Sequence, residues 1–240
     1  MKVSKTRILG SSYVGLFAIT NNKLCITARG TAPKTKKGIE EALDVKVVEA
    51  GIYDSNLLAV FAKMNNKSAY VPSYALDREV EEIEKEIKVH VVQTEQALGN
   101  LSEVNDTYAI VSNTLKQNAV NSFKESGLEI LQQNIAKTDA IGSSLLLLNN
   151  SFLISPNATE EEVKKIQETL NIKGGASTAN TGDSFVRNSV LANEVGFVVG
   201  DQTTGHELNR IEEALEGWKW KYSKQKEHIT KMELQNLAKQ

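Results

Sequence analysis

Several things are scarce in this chain of 240 residues. It has one cysteine, Cys25. That excludes an internal disulfide and any zinc site built from several thiolates, and it suits a reducing compartment. The three histidines, His90, His206 and His228, are scattered and spell no catalytic triad or metal set. No apolar run approaches the ~18 residues that a membrane span needs. The opening Met1-Lys2-Val3-Ser4-Lys5 lacks the apolar stretch of a secretory signal, so a cytoplasmic location is expected. The rest of the composition is ordinary, at 40% hydrophobic and 24% charged, enough for one sizeable core. The net charge of −2 is unevenly spread. Residues 217–240 hold six lysines against two glutamates, net +4, and the preceding 216 residues hold 22 basic and 28 acidic side chains, net −6.

What the sequence does contain is a repeat. An Asn-led turn followed by a short apolar strand occurs five times, with leading Asn residues at 21, 65, 105, 149 and 193, spaced by 44, 40, 44 and 44. An apolar strand precedes each turn: Val14–Ile19, Leu57–Ala62, Leu101–Val104, Ser144–Leu148 and Val190–Ala192. Asn suits such turns because its short side chain bonds the local backbone. Each unit therefore opens with a hairpin. Seven residues past the leading Asn the second strand is expected to end, at Ala28, Pro72, Ser112, Pro156 or Gly200; two of the three prolines share this offset.

A helix follows each hairpin. Three carry capping-box spelling, Thr114…Gln117, Thr159…Glu162 and Thr204…Glu207. Glu160–Leu170 and Asp77–Ile87 have apolar residues at helical spacing under charged faces, and a poorly capped first helix lies near Lys36–Leu43. Third strands are expected at Val45–Val48, Val89–Val92, Leu128–Leu131 and Ile172–Gly175. Each unit reads β-β-α-β and is too small to bury its own apolar face. The fifth unit lacks a third strand, and an unpaired apolar segment, Thr6–Leu9, precedes the first. This complementary deficit predicts an α/β fold closed into a five-bladed α/β propeller with approximate five-fold pseudosymmetry. The propeller occupies residues 1–216, its last blade closed by the N-terminal strand, and residues 217–240 form a separate basic tail.

The segment Ala97-Leu98-Gly99-Asn100, followed by Asn105-Asp106, resembles the ALGN…ND stretch of archaeal and eukaryotic translation initiation factor six. Thr178-Ala179-Asn180-Thr181-Gly182 resembles that family's TVNRG motif, and Gly200–Leu208 with Ile211-Glu212 resembles its GLDTTSTEL…IE ending. The similarity runs over about residues 8 to 215. It implies the pentein fold, in agreement with the repeat. It also implies a ribosome anti-association factor. Such a factor binds the large ribosomal subunit, mainly through a ribosomal protein near the sarcin–ricin loop, and sterically blocks joining of the small subunit. It also takes part in large-subunit maturation and uses no cofactor. The Asn of the ND pair, here Asn105, lies on the family's docking face. If rotation relates the units, the other turns share that face, so the candidate contacts are Asn21, Asn65, Asn105, Asp106, Asn149 and Asn193. The chain departs from the family at Gln93–Gln96 and at Thr181, where the family carries arginines, which removes cations that would meet rRNA phosphate.

Relatives of this fold include guanidino-group hydrolases and amidinotransferases with a Cys nucleophile late in the chain. Here the single thiol is early, and it alternates with Leu24 and Ile26 as a core residue would. A reactive thiol would want a nearby base and positive potential, so a non-enzymatic, monomeric binding protein without membrane attachment is expected. The Gly-rich stretch at 173–182 lacks the spelling of a phosphate loop. In the tail, Trp218, Trp220 and Tyr222 alternate with Lys219, Lys221 and Lys224, a mixture of rings and cations able to stack on and neutralise RNA, or to form part of an amphipathic helix over the propeller.

Overall fold

A computed structural model describes residues 1–216. It contains five three-stranded sheets of one plan, a hairpin, a helix and an outer strand parallel to the hairpin's second strand. Blade one comprises strands Ala18–Thr20, Leu24–Ala28 and Lys46–Ala50 with helix Pro33–Leu43, and blade two Lys63–Met64, Ala69–Pro72 and Val89–Val92 with helix Asp77–Glu84. Blade three comprises Ser102–Val104, Tyr108–Val111 and Glu129–Gln132 with helix Gln117–Glu125, and blade four Leu145–Leu147, Ser151–Ile154 and Lys173–Ala176 with helix Glu160–Leu170. Blade five has Val190–Ala192, Gly196–Gly200 and helix Gly205–Leu215, and its outer strand is the chain's beginning, Lys2–Thr6. That strand runs parallel to Gly196–Gly200, with Lys2 opposite Gly196 and Thr6 opposite Gly200. The first and last blades are thereby joined.

The cores lie between the blades. Every residue of Leu24–Ala28, Ser151–Ile154 and Gly196–Gly200 is buried, on both sides of the strand. Such strands read as continuous apolar runs. Cys25 packs with Leu191 and Val198 of blade five, whereas its neighbours Leu24 and Ile26 pack with Leu58 and Val71 of blade two. Likewise Leu145 and Leu147 face blade three while Leu146 faces blade five. Five such clusters alternate with the five blades.

Several boundaries differ from the sequence expectation. The N-terminal strand is Lys2–Thr6 rather than Thr6–Leu9, because Ile8 leaves the sheet to fill the core between blades five and one, its backbone bridging Ser11. Two inner strands start later than expected, because a helical turn takes Val14–Leu16 of Val14–Ile19 and Leu58–Phe61 of Leu57–Ala62; the turns Ile141–Ser144 and Val186–Ser189 lie ahead of strands Leu145–Leu147 and Val190–Ala192, which fall where expected. The outer strands lie one or two residues later than their apolar runs, as Lys46–Ala50, Glu129–Gln132 and Lys173–Ala176, and most of their residues are only partly covered. Thr159 and Thr204 cap their helices through capping boxes. Thr114 does not: its hydroxyl lies 3.0 Å from that of Ser112, and the helix starts behind Lys116 without a side-chain cap.

The hairpin turns lie on one face of the ring and the helix N-termini on the other. At the second face, Glu207 accepts from the backbone N–H groups of Thr204 and Gly182 at 2.8 Å and from the Thr178 hydroxyl at 2.8 Å. Burial by itself raises this carboxyl, but those donors outweigh it and hold Glu207 down to about 2. A carboxylate so depressed stabilises the fold above its ordinary value near 4.5, and the benefit fades as pH falls toward 2. Glu207→Gln is therefore expected to flatten the acid limb of thermal stability between about pH 4.5 and pH 2. A second expectation concerns closure. A Cβ on Gly196 would sit 2.1 Å from the Ala42 carbonyl oxygen of blade one, whereas one on Gly205, the first residue of a helix, meets nothing within 4 Å. Gly196→Ala should cost about 2 kcal/mol or more, and Gly205→Ala should be neutral or stabilise by up to about 1 kcal/mol, both read from urea unfolding midpoints.

Candidate functional site

The turns begin with local chemistry. The Asn21 side-chain Oδ1 accepts from the backbone N–H groups of Lys23 and Leu24, both at 2.8 Å, while the Asn21 N–H donates to the Leu24 carbonyl. The carboxamide thus does the work of a missing backbone carbonyl in a two-residue turn. Asn65, Asn105 and Asn193 repeat this arrangement with the two N–H groups that follow each turn.

The other end of each amide reaches the next blade. Asn21 Nδ2 donates to the Asn65 carbonyl at 2.9 Å, Asn65 Nδ2 to the Asn105 carbonyl at 2.8 Å, and Asn105 Nδ2 to the Leu148 carbonyl at 3.3 Å. Asn193 Nδ2 donates to the Asn21 carbonyl at 3.1 Å and so joins the last blade to the first. A second ring of bonds lies one residue along. The N–H of Asn22 donates to Asn66 Oδ1, that of Asn66 to Asp106 Oδ1, that of Asp106 to Asn149 Oδ1, and that of Glu194 to Asn22 Oδ1.

This network corrects the repeat at one unit. The residue in register with Asn21, Asn65, Asn105 and Asn193 is Leu148, whose N–H donates to the Ser151 carbonyl; Asn149 occupies the second position, with Asn22, Asn66, Asp106 and Glu194. The spacing is therefore 44, 40, 43 and 45, and the residue seven past the leader is Ser155, not Pro156. Ser155 donates to Ser144 as Ser112 does to Leu101 and Ala28 to Phe17. The shared offset of the two prolines is a coincidence. Leu148 has no amide to send to blade five, and there the link is Asn150 Nδ2 to Glu194 Oε1 at 3.3 Å.

The leading asparagines are buried, Asn193 to 1% exposure and Asn21 to 7%, with their polar atoms bonded inside the ring. The candidates Asn21, Asn65, Asn105 and Asn193 thus set the shape of this face. Asp106 and Asn149 are half-buried, and the tips Lys23, Lys67, Thr107, Asn150 and Glu194 are exposed. The candidates Lys219, Lys221 and Lys224, with the whole 217–240 tail, lie outside the described residues.

Behind this face lies a group that the repeat did not single out. Two residues before each leader stand Ile19, Lys63, Glu103, Leu146 and Leu191, one layer across the axis around a cavity of about 30 Å³. Lys63 Nζ lies 2.5 Å from Glu103 Oε2 and 3.3 Å from the Gly142 carbonyl of blade four. Arg187 of blade five approaches Glu103 to 4.0 Å and donates to the Gly15 carbonyl of blade one at 2.8 Å. All five blades meet in this cluster. Gly99 and Gly142 belong to the helical turns above it: a Cβ on Gly99 would lie 2.1 Å from the Ala59 carbonyl oxygen, and one on Gly142 1.8 Å from that of Gly99. The glycine of the Ala97–Asn100 motif therefore lets blades pack at the axis. Asn180, from the second motif segment, donates to the Ser12 carbonyl and to the Ser189 hydroxyl, and Thr203, from the third, lies 3.3 Å from its Oδ1.

Cys25 is fully buried, and burial pushes its thiol up to about 12. His90 stacks on Tyr70 at 5.5 Å. Among the described residues no group of three or more His, Cys, Asp or Glu side chains could hold a metal ion, and no helix is long and apolar enough to cross a membrane.

The class defined by this geometry is a five-bladed α/β propeller whose blades are laced by turn asparagines and whose axis is plugged by charge. The eIF-6 family model matches residues 3–214, and the chain belongs to the eIF-6 family. It is 33% identical to translation initiation factor 6 of Pyrococcus abyssi (strain GE5 / Orsay) over 224 residues, covering 90% of this chain and 99% of that protein. It is 30% identical to translation initiation factor 6 of Saccharolobus islandicus (strain L.S.2.15 / Lassen #1) over 221 residues, covering 90% and 99%. Among solved structures, a dimethylarginine dimethylaminohydrolase aligns with a TM-score of 0.43 at 12% identity, covering 85% of this chain and 73% of that one.

The ring makes a direct expectation. Asn65→Ala removes the acceptor of two turn N–H groups and the donor to blade three. It should cost about 2–4 kcal/mol in urea unfolding, since buried partners are left unpaired. Asn150→Ala, which loses one exposed amide bond, should cost well under about 1 kcal/mol.

Proposed function

We propose that this chain is a ribosome anti-association factor: it binds the large ribosomal subunit by its turn face, sterically keeps the small subunit from joining, and takes part in large-subunit maturation. The observation that carries the reading is membership of the eIF-6 family over residues 3–214, whose relatives bear the name translation initiation factor 6. The turn face suits the task physically. Its hydrogen bonds run from blade to blade, so little ordering entropy is lost on docking. Exposed lysines at 23 and 67 and carboxylates at 106 and 194 give it a mixed polar rim.

A body of net −6 is a poor wrapper of phosphate, which points the main contact toward a ribosomal protein near the sarcin–ricin loop. Any contact with rRNA belongs to Lys219, Lys221 and Lys224 of the tail. The action needs no cofactor and no catalysis, and it takes place in the cytoplasm with the factor as a monomer. The burial of Cys25, which holds its thiol protonated, supports a non-enzymatic role.

Sedimentation with purified subunits on a density gradient tests the reading. Co-migration with the large subunit and loss of joined ribosomes are expected; failure of either removes the proposal. Asp106→Lys should weaken large-subunit binding about tenfold or more, as a reversed charge at a docking rim does. Deleting residues 217–240 should reduce the salt dependence of binding, and an unchanged salt slope would remove the tail from the contact.

A further inference from the structure

Lys63, Glu103 and Arg187 are all buried, at 1%, 6% and 5% exposure. They bring two cations and one carboxylate into a region without bulk water. An uncompensated buried charge is costly, and a protein sheds it by losing a proton where it can. Among the described residues the neighbouring elements supply no second anion. Tyr70, opposite Lys63 in the hairpin, has its hydroxyl engaged by Asn65 and is raised by burial. Cys25, one hairpin away, is held neutral near 12. Strand Ala18–Thr20 bears no titratable group. Arginine does not deprotonate in proteins, so Lys63 is the group able to release the surplus proton. Burial pulls it down to about 8, the attraction of Glu103 opposing and the repulsion of Arg187 assisting.

The geometry holds a second partner ready. Arg187 Nε is buried without a hydrogen-bond acceptor among the described residues, 4.0 Å from Glu103 Oε2, and Lys63 lies 2.5 Å from the same oxygen. A movement of roughly 1 Å would turn the open approach into a hydrogen bond. We propose that the axial cluster is a partner exchange: Glu103 ties blade three to Lys63 of blade two while that amine is charged, and crosses to Arg187 of blade five when it is neutral. The proton goes to solvent, no covalent bond changes, and both states keep Glu103 paired. Lys63 and Glu103 each stand two residues before a ring asparagine, Asn65 and Asn105, in inner strands of two and three residues. The exchange therefore alters the tie directly behind the Asn65–Asn105 bond of the turn face.

The consequence for docking rests on the proposed function, but the test does not, because it uses the free full-length protein. Selective labelling of lysine, arginine and asparagine side chains, with NMR titration from about pH 6.5 to about pH 10, reads both partners and the ring amides. Lys63 is expected to titrate with a midpoint close to pH 8. The Arg187 Nε–H and the side-chain amides of Asn65 and Asn105 are expected to shift with the same midpoint. In Glu103→Gln the Lys63 midpoint should fall by about one unit or more, and Arg187 should no longer follow it. In Lys63→Met, the variant to use if Glu103→Gln fails to fold, the Arg187 signal should sit at its high-pH position throughout. Lys63 titrating near the ordinary lysine value of about 10.4 would overturn the proposal. So would Lys63 titrating alone while Arg187 stays still.

Discussion

A β-β-α-β blade has two apolar faces on its middle strand, and only its neighbours can cover both. Most of this structure follows from that constraint. Leu145 and Leu147 look one way and Leu146 the other, and the same holds for Leu24 and Ile26 against Cys25. No blade owns a core. An open row of five would leave two faces bare, at a cost of tens of square ångströms of apolar surface per large side chain. Closure removes both, and the strand Lys2–Thr6 completes it.

Closure then creates a problem at the centre. Five inner strands converge, and there is room for two or three residues of strand in each. Helical turns take over above them, and small residues such as Gly99 and Gly142 let one turn's backbone lie against the next. Backbone groups at such a crowded end need partners. The asparagine amides provide them on the turn face, and Lys63 and Arg187 provide them inside, bonding the carbonyls of Gly142 and Gly15. The charged cluster is thus both a plug and a set of donors for carbonyls that no sheet reaches.

The repeat was legible because its signals are local. An Asn carboxamide closing a two-residue turn, an apolar strand on each side and a capping Thr…Glu all lie within about ten residues of one another. The register of the fourth unit was not, since Asn149 and Asn150 both follow Leu148 and spelling alone favours an Asn over a Leu. Only the bond from the Leu148 N–H to Ser151 decides it. The strands expected from residues 14 and 57 began too early for a different reason: the crowding that converts their first residues to helical turns comes from other blades. As for the candidate site, the asparagines were found but their direction was not. A turn residue reads as exposed until the neighbouring blade that accepts its amide is in place. Lys63 and Glu103 carried a signal that alignment of the units would have shown, two opposite charges at one repeat position where the other blades have Ile19, Leu146 and Leu191. Arg187 had no such mark.

The pairing of Lys2–Thr6 with Gly196–Gly200 also governs the order in which the molecule is built. Among the described residues Lys2–Thr6 pairs only with a strand some 190 residues later, so during synthesis it waits as an unpaired edge while four blades form behind it. Loop closure over such a separation is slow relative to hairpin and helix formation. The hydrogen bonds that blade five donates to blade one, among them those from Asn193 Nδ2 to the Asn21 and Leu43 carbonyls and from the Glu194 N–H to Asn22 Oδ1, become possible at that same late moment. For a nascent chain, the ring remains a row until its last fifth is synthesised, and the turn face exists as one surface only after that.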